Sequence, residues 1–243
     1  PPTQAQGAGL PPAAVWPAVW LAADAGPRAR LLSVDYSAPA SGWEGESLPL
    51  AGTVSRLADR LVAAGVGDRP VVFVCHSLGG VVVKEMLAAA LAADPASPHA
   101  RLGTSTAGAV FYACPHRGSW LAGVGWNLRF VGAAPAASVV HLKPGPHLED
   151  ADAVLQRAHA AGSLRVLSFG ETARMAVAPL LPRVLVVPPD SAAPGYGAFW
   201  LLAGRDHIAV CKPGSRADPA YGETAALVAA VLADAERRER GGG

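Results

Sequence analysis

Eleven residues, Pro70 to Gly80 (PVVFVCHSLGG), constrain this chain more than any other stretch. A continuous apolar run, Pro70–Cys75, has the pattern of a strand buried on both faces of a parallel sheet. It ends in His76-Ser77-Leu78-Gly79-Gly80, and a helical pattern follows at once to Ala93. A strand that turns sharply into a helix through small residues presents the middle side chain, here Ser77, over the sheet edge. The helix N-terminus then aims its free N–H groups at the same point, where they favour developing negative charge. Ser77 is therefore the candidate nucleophile. His76, Leu78, Gly79 and Gly80 are the flanking turn residues, and the Leu78 N–H is the candidate oxyanion donor. One position departs from G-x-S-x-G: Cys75 stands where the first Gly is usual.

The rest of the chain repeats the strand–helix alternation. Strands are expected at Arg30–Tyr36, Pro70–Cys75, Ala107–Cys114, Leu164–Phe169 and Arg183–Val187. Helices are expected from Thr53 to Gly65, Leu78 to Ala93, Ala151 to Ala161 and Gly222 to Arg240. Alternation of this kind implies βαβ units, an α/β class and a mainly parallel sheet with helices on both faces. Residues 1–29, rich in Ala, Pro and Gly, are expected to be poorly structured, and residues 30–240 to form the folded domain. The irregular stretch 115–150 is too long for a plain connection and is expected to be a lid or insertion.

Composition excludes several other classes. Twenty basic and 19 acidic residues give a net charge of +1, without the clustered positive charge that nucleic-acid binding needs. No apolar run approaches the roughly 18 residues of a membrane span. The three Cys residues include no C-x-x-C pair and read as free thiols. No metal-ligand cluster or phosphate-binding loop is present in the sequence, so no metal or cofactor is expected. Of the 243 residues, 51 are Ala, so the apolar fraction of 51% overstates the core. The six Trp residues (16, 20, 43, 120, 126 and 200) read as packing, or alternatively as the lip of an acyl-chain pocket.

A serine nucleophile needs a base, and in this strand–turn–helix arrangement the order is Ser, acid, His. His207 is the one His beyond residue 159, and it lies between the last expected strand and the final helix. A neutral imidazole there takes the serine proton and returns it to the leaving group. The acid is open between Glu171, two residues after the Leu164–Phe169 strand, and Asp190, after the Arg183–Val187 strand. Asp206 adjoins His207, but sequence neighbours rarely face each other. The second oxyanion donor has no evident source, since no strand and Gly-rich loop precede residue 30. Losing one such donor typically costs about 10²–10³ in rate.

Several segments resemble the hydrolase domain of the serine active site-containing proteins. They are Trp16-Pro17-x-x-Trp20-Leu21, Arg30–Tyr36 with Trp43, Ala64–Val72 leading into His76–Gly80, and Val110-Phe111-Tyr112 with Pro115-His116-Arg117-Gly118-Ser119. Further on, Phe169-Gly170-Glu171-Thr172, Val186–Pro188 with Asp190-Ser191-Ala192, and His207-Ile208 with Cys211-Lys212-Pro213 extend the likeness. It runs from about residue 16 to 235. The resemblance implies an α/β-hydrolase fold and a lipase-like enzyme on lipid esters. It further implies phosphatidylglycerol remodelling, intracellular cholesterol handling, and peripheral placement at mitochondria or their endoplasmic-reticulum contacts. Such proteins carry a His-Gly loop upstream of the Trp-Pro segment, so this chain is expected to be a fragment lacking its first strands. His116 reads either as a support for the site or as a turn residue. Two rival readings are a deacylase of glycolipid anchors or acyl-proteins, and a non-catalytic hydrolase-fold module that binds protein or membrane.

Overall fold

The structure, a computed structural model, describes residues 15–35, 50–117, 146–176 and 183–241. A π-helical turn, Pro17–Leu21, continues through helix α1 (Ala22–Ala25) into a 3-10 turn, Gly26–Arg28. Then follow α2 (Leu50–Ala63), β1 (Val71–His76), α3 (Leu78–Ala92), α4 (Pro98–Ser105) and β2 (Thr106–Tyr112). The order closes with α5 (Pro146–Ala160), β3 (Arg165–Glu171), α6 (Pro189–Ala192), β4 (Ala198–Leu202) and α7 (Pro219–Gly241). The sheet order is β1-β2-β3-β4, and each neighbouring pair is parallel.

Alternation along β2 shows why its sequence is apolar throughout. Ala109 and Phe111 enter one core with α2, α3, α4 and α5, while Val110 and Tyr112 enter a second core on the opposite face. That second core contains Trp16, Trp20 and Leu21 together with Ala220 and Tyr221 of α7. Helices thus cover both faces, as a parallel sheet requires. Ser97 caps α4 by accepting a hydrogen bond from the Ala100 N–H at 3.1 Å, and Pro98 occupies its first turn.

Five expectations are corrected. Pro70–Cys75 forms a strand, but β1 lies at the edge of the described sheet with Val74 exposed, not buried on both faces. Residues 30–35 form no strand; Leu31, Leu32 and Val34 are exposed, and no neighbouring strand takes up their backbone among the described residues. Arg183–Val187 is not a strand either, apart from one bridge between Val184 and Met175. Its Val186 and Val187 N–H groups instead donate to a carboxylate, described below. The fourth strand is Ala198–Leu202. It follows Gly197, which holds φ +74 with Val166 O only 2.4 Å from where a Cβ would stand. Finally, residues 17–28 are helical rather than poorly structured, because Trp16 and Trp20 are buried edge-on against Tyr221. Residues 1–14, and 118–145 of the expected lid, lie outside the described residues.

Candidate active site

Ser77 sits in the tight turn between β1 and α3 with φ 52 and ψ −127, a left-handed conformation that L-residues rarely adopt. Its N–H donates to Tyr112 O at 2.9 Å, which extends the β1–β2 ladder one step past the strand end. The first turn of α3 is pressed close to β2. A Cβ on Gly80 would come within 2.5 Å of Cys114 Sγ and 3.0 Å of Phe111 Cδ1. That closeness is the local reason for glycine there, and it turns Ser77 outward. Leu78 opens the helix, so its N–H has no acceptor within α3.

His207 follows β4 in a loop built by its neighbours. Asp206 Oδ1 accepts from the Ile208 and Ala209 N–H groups at 3.1 and 2.8 Å. Arg205 donates to the Ala209 and Lys212 carbonyls and pairs with Asp218. The Arg205 carbonyl accepts from Thr172 and Ala173, just past the end of β3. The loop is clamped from the other side by Trp16, whose indole N–H donates to Cys211 O at 2.9 Å.

The geometry brings three side chains into one line. His207 Nε2 lies 2.8 Å from Ser77 Oγ, and His207 Nδ1 lies 2.7 Å from Glu171 Oε2. Glu171 ends β3 and is fully buried. Its other oxygen, Oε1, accepts from Val186 N at 2.5 Å and Val187 N at 3.1 Å. A carboxylate only accepts, so neutral His207 carries its proton on Nδ1. The Nε2 lone pair is then left to accept from the serine hydroxyl. The fold is that of an α/β-hydrolase.

The hydrolase fold separates the two candidate acids. Asp190 lies exposed in the first turn of α6, where its Oδ1 accepts the Ser191 N–H at 3.0 Å, so the structure keeps it out of the line. Asp206 shapes the loop and does not face His207 Nδ1. His76 donates its Nε2–H to the His207 carbonyl at 2.7 Å. His116 is fully buried edge-on against Phe111, beside a buried ion pair of Lys84 and Asp152 at 2.7 Å. Cys75 and Cys114 are free buried thiols whose pKa values burial pushes up, Cys114 to about 12. Trp43, Trp120 and Trp126 lie outside the described residues, and Trp200 is exposed on β4. Among the described residues, no group of three or more His, Cys, Asp or Glu is placed to hold a metal ion.

Sequence reasoning missed the Val186 and Val187 donors, the Arg205 brace, the Trp16 clamp and the Lys84–Asp152 pair. The Trp16/Trp20 spacing of four after a proline was a readable helical signal for the clamp. A lysine in the apolar run of α3 was the corresponding signal for the ion pair.

No protein-family model matches the chain. The chain is similar to Protein SERAC1 of Danio rerio, with 38% identity over 205 residues, covering 82% of this chain and 30% of that protein. The Homo sapiens counterpart is 34% identical over 223 residues, covering 90% of this chain and 33% of that protein. The chain thus spans about a third of the length of the curated relatives it matches. Among solved structures, phospholipase PlaB from Legionella pneumophila aligns with TM-score 0.49 and 14% identity, over 80% of this chain and 54% of that one. A metagenomic carboxyl esterase aligns with TM-score 0.41 and 24% identity, over 76% and 63%. These overlaps are partial and distant; the hydrolase fold is read from the sheet, the turn and the side-chain line themselves.

Proposed function

We propose that this chain is a serine hydrolase or acyltransferase that acts on lipid esters through an acyl-Ser77 intermediate. The observation that carries the reading is the Ser77–His207–Glu171 line, with spacings of 2.8 and 2.7 Å, built on a strained turn. Ser77 Oγ attacks the ester carbonyl carbon while His207 Nε2 takes its proton. The buried Glu171 carboxylate steadies the imidazolium that forms and holds its orientation. Negative charge gathers on the carbonyl oxygen, toward the Leu78 N–H and the N-terminus of α3. As the tetrahedral intermediate collapses, the ester C–O bond breaks and His207 protonates the departing alkoxide. In the second half, His207 deprotonates water or a lipid hydroxyl. That oxygen attacks the acyl carbon, and the Ser77 Oγ leaves with the returned proton.

The lipid class is supported by the sequence resemblance. The same resemblance extends the proposal to acyl exchange on phosphatidylglycerol and to cholesterol handling at mitochondria or their endoplasmic-reticulum contacts. Acyl transfer onto lysophosphatidylglycerol in vesicles tests the lipid part.

The mechanism is tested by fluorophosphonate labelling of the protein that carries this chain. Ser77→Ala is expected to abolish labelling, and His207→Ala to slow it by orders of magnitude. Glu171→Gln keeps an acceptor for Val186 and Val187 but presents an amide to His207 Nδ1. That favours the wrong tautomer, and a comparable change in serine proteases costs about 10⁴ in kcat. Asp190→Ala is expected to label as wild type. A folded protein that does not label refutes the mechanism and favours a binding module on the same fold.

A further inference from the structure

We infer that His76, which directly precedes the serine, is a positioning residue that fixes the backbone of His207. This rests on the acyl-serine reading above. His76 is the last residue of β1, and its Nε2 lies 2.7 Å from the His207 carbonyl oxygen. A carbonyl only accepts, so His76 carries its proton on Nε2. The two imidazoles lie 4.8 Å apart and tilted by 43°. The His76 pKa is lowered, first by burial and then by the nearby His207 imidazole, which favours the neutral ring. A neutral neighbour does not oppose the positive charge that His207 acquires during the reaction.

The placement has a mechanical meaning. Arg205 and Asp206 tie the His207 loop to itself, to Thr172 and Ala173, and to Asp218. None of those bonds reaches β1. His76 supplies that link, so one strand end carries the nucleophile and also grips the main chain of its base. His207 must face Ser77 Oγ in one half-step and the leaving oxygen in the next. A held carbonyl lets the ring turn while its Cα stays in place. Misplacement by even 1 Å can cost about 10²-fold in rate.

The test compares three variants of the protein that carries this chain, read by p-nitrophenyl ester hydrolysis and by melting temperature. His76→Phe keeps a ring beside His207 but has no donor. Its kcat is expected to fall about 10-fold, with KM within about 2-fold, the loss of roughly one well-placed hydrogen bond. His76→Gln offers an amide donor of similar reach and is expected to recover to within about 3-fold of wild type. His76→Asn carries the same amide on a shorter arm and is expected to fall with the Phe variant, which preserves the comparison if Phe fails to fold. A Phe or Asn variant that folds and matches wild type overturns the inference. So does a folded Gln variant that falls as far as Asn. If the wild-type protein shows no Ser77-dependent labelling, the acyl-serine reading itself has failed.

Discussion

Lys84 lies seven residues after Ser77 on the buried side of α3, and its side chain has no exposure to solvent. Its Nζ is 2.7 Å from Asp152 Oδ1 on α5 and 3.3 Å from the His116 carbonyl. Asp152 also accepts from the Tyr196 hydroxyl at 2.9 Å and keeps 17% of its side chain exposed. Burial works to raise the Asp152 pKa, but nearby His116 and the Lys84 charge outweigh it and hold the carboxyl below its ordinary value. Breaking such a pair typically costs about 3–5 kcal/mol, because the surviving charge stays buried without its partner. Lys84→Met leaves the carboxylate with the Tyr196 hydroxyl and some water, so the cost belongs near the lower end, about 3 kcal/mol. Asp152→Asn leaves a fully buried ammonium facing a neutral amide oxygen and one long bond to the His116 carbonyl, so it belongs near about 5 kcal/mol. The double variant removes both charges, and the new amide oxygen on α5 can still accept from Tyr196. It is expected to cost about 1–2 kcal/mol, chiefly the bond lost at the His116 carbonyl. Equilibrium urea unfolding measures all three, provided the slope is unchanged. Additive costs, or a Lys84→Met loss below about 1 kcal/mol, would refute this account of the pair.

Three further outcomes are expected. Gly80→Ala should lower thermal stability by about 1–3 kcal/mol, reduced by up to about 1 kcal/mol of helix propensity, and Cys114→Ala should relieve only part of this because the Cys114 Cβ is also close. Trp16→Phe keeps an aromatic ring but loses the donor to Cys211 O and part of the buried indole volume, so urea unfolding should show a loss of about 1–3 kcal/mol and fluorophosphonate labelling should slow. His116 is pushed down to about 4, mainly by burial, while an unfolded His takes a proton near 6.5, so the unfolded state binds more protons between those values. Stability should therefore fall as pH drops from about 6.5 to 4, by roughly 3 kcal/mol, and His116→Gln should flatten that dependence in unfolding curves taken across the range.

The strands that could be read from sequence are short apolar runs, whether buried on both faces, as β2 and β3 are, or at the edge of the described sheet with Val74 exposed, as β1 is. β1, β2 and β3 are short apolar, β-branched runs, and that pattern has few other solutions. β4 (Ala198–Leu202) escaped because it is short, buries only Leu202, and takes its position from Gly197 fitting against Val166. Arg30–Tyr36 and Arg183–Val187 have strand-like residues, but a strand also needs a partner, and sequence pattern does not report partners. At Val186 and Val187 the backbone donors serve Glu171 instead of a ladder. Ser77 and His207 were legible because the turn demands small neighbours and chain order restricts where the base can lie. Glu171 stood in the expected slot after the strand before last, with Asp190 in reserve, because both follow apolar runs. What separates them is burial and aim, which arise only when β3 and the 183–187 segment meet.

The aligned side chains come from the end of β1, the end of β3 and the loop after β4. They are held in place by the strand register, including the pairings Cys75↔Phe111, Phe111↔Ser168 and Ser168↔Phe199, together with the His76 and Arg205 links to the His207 loop. A slip of one residue in any of these pairings shifts a strand end by about 3.3 Å and turns its side chains to the other face. That shift exceeds the full 2.7–2.8 Å reach of the hydrogen bonds in the line. A slipped sheet therefore breaks the line rather than stretching it. Labelling of that one hydroxyl at its full rate therefore requires the strands in register, and the rise of that rate during refolding times the last of those pairings.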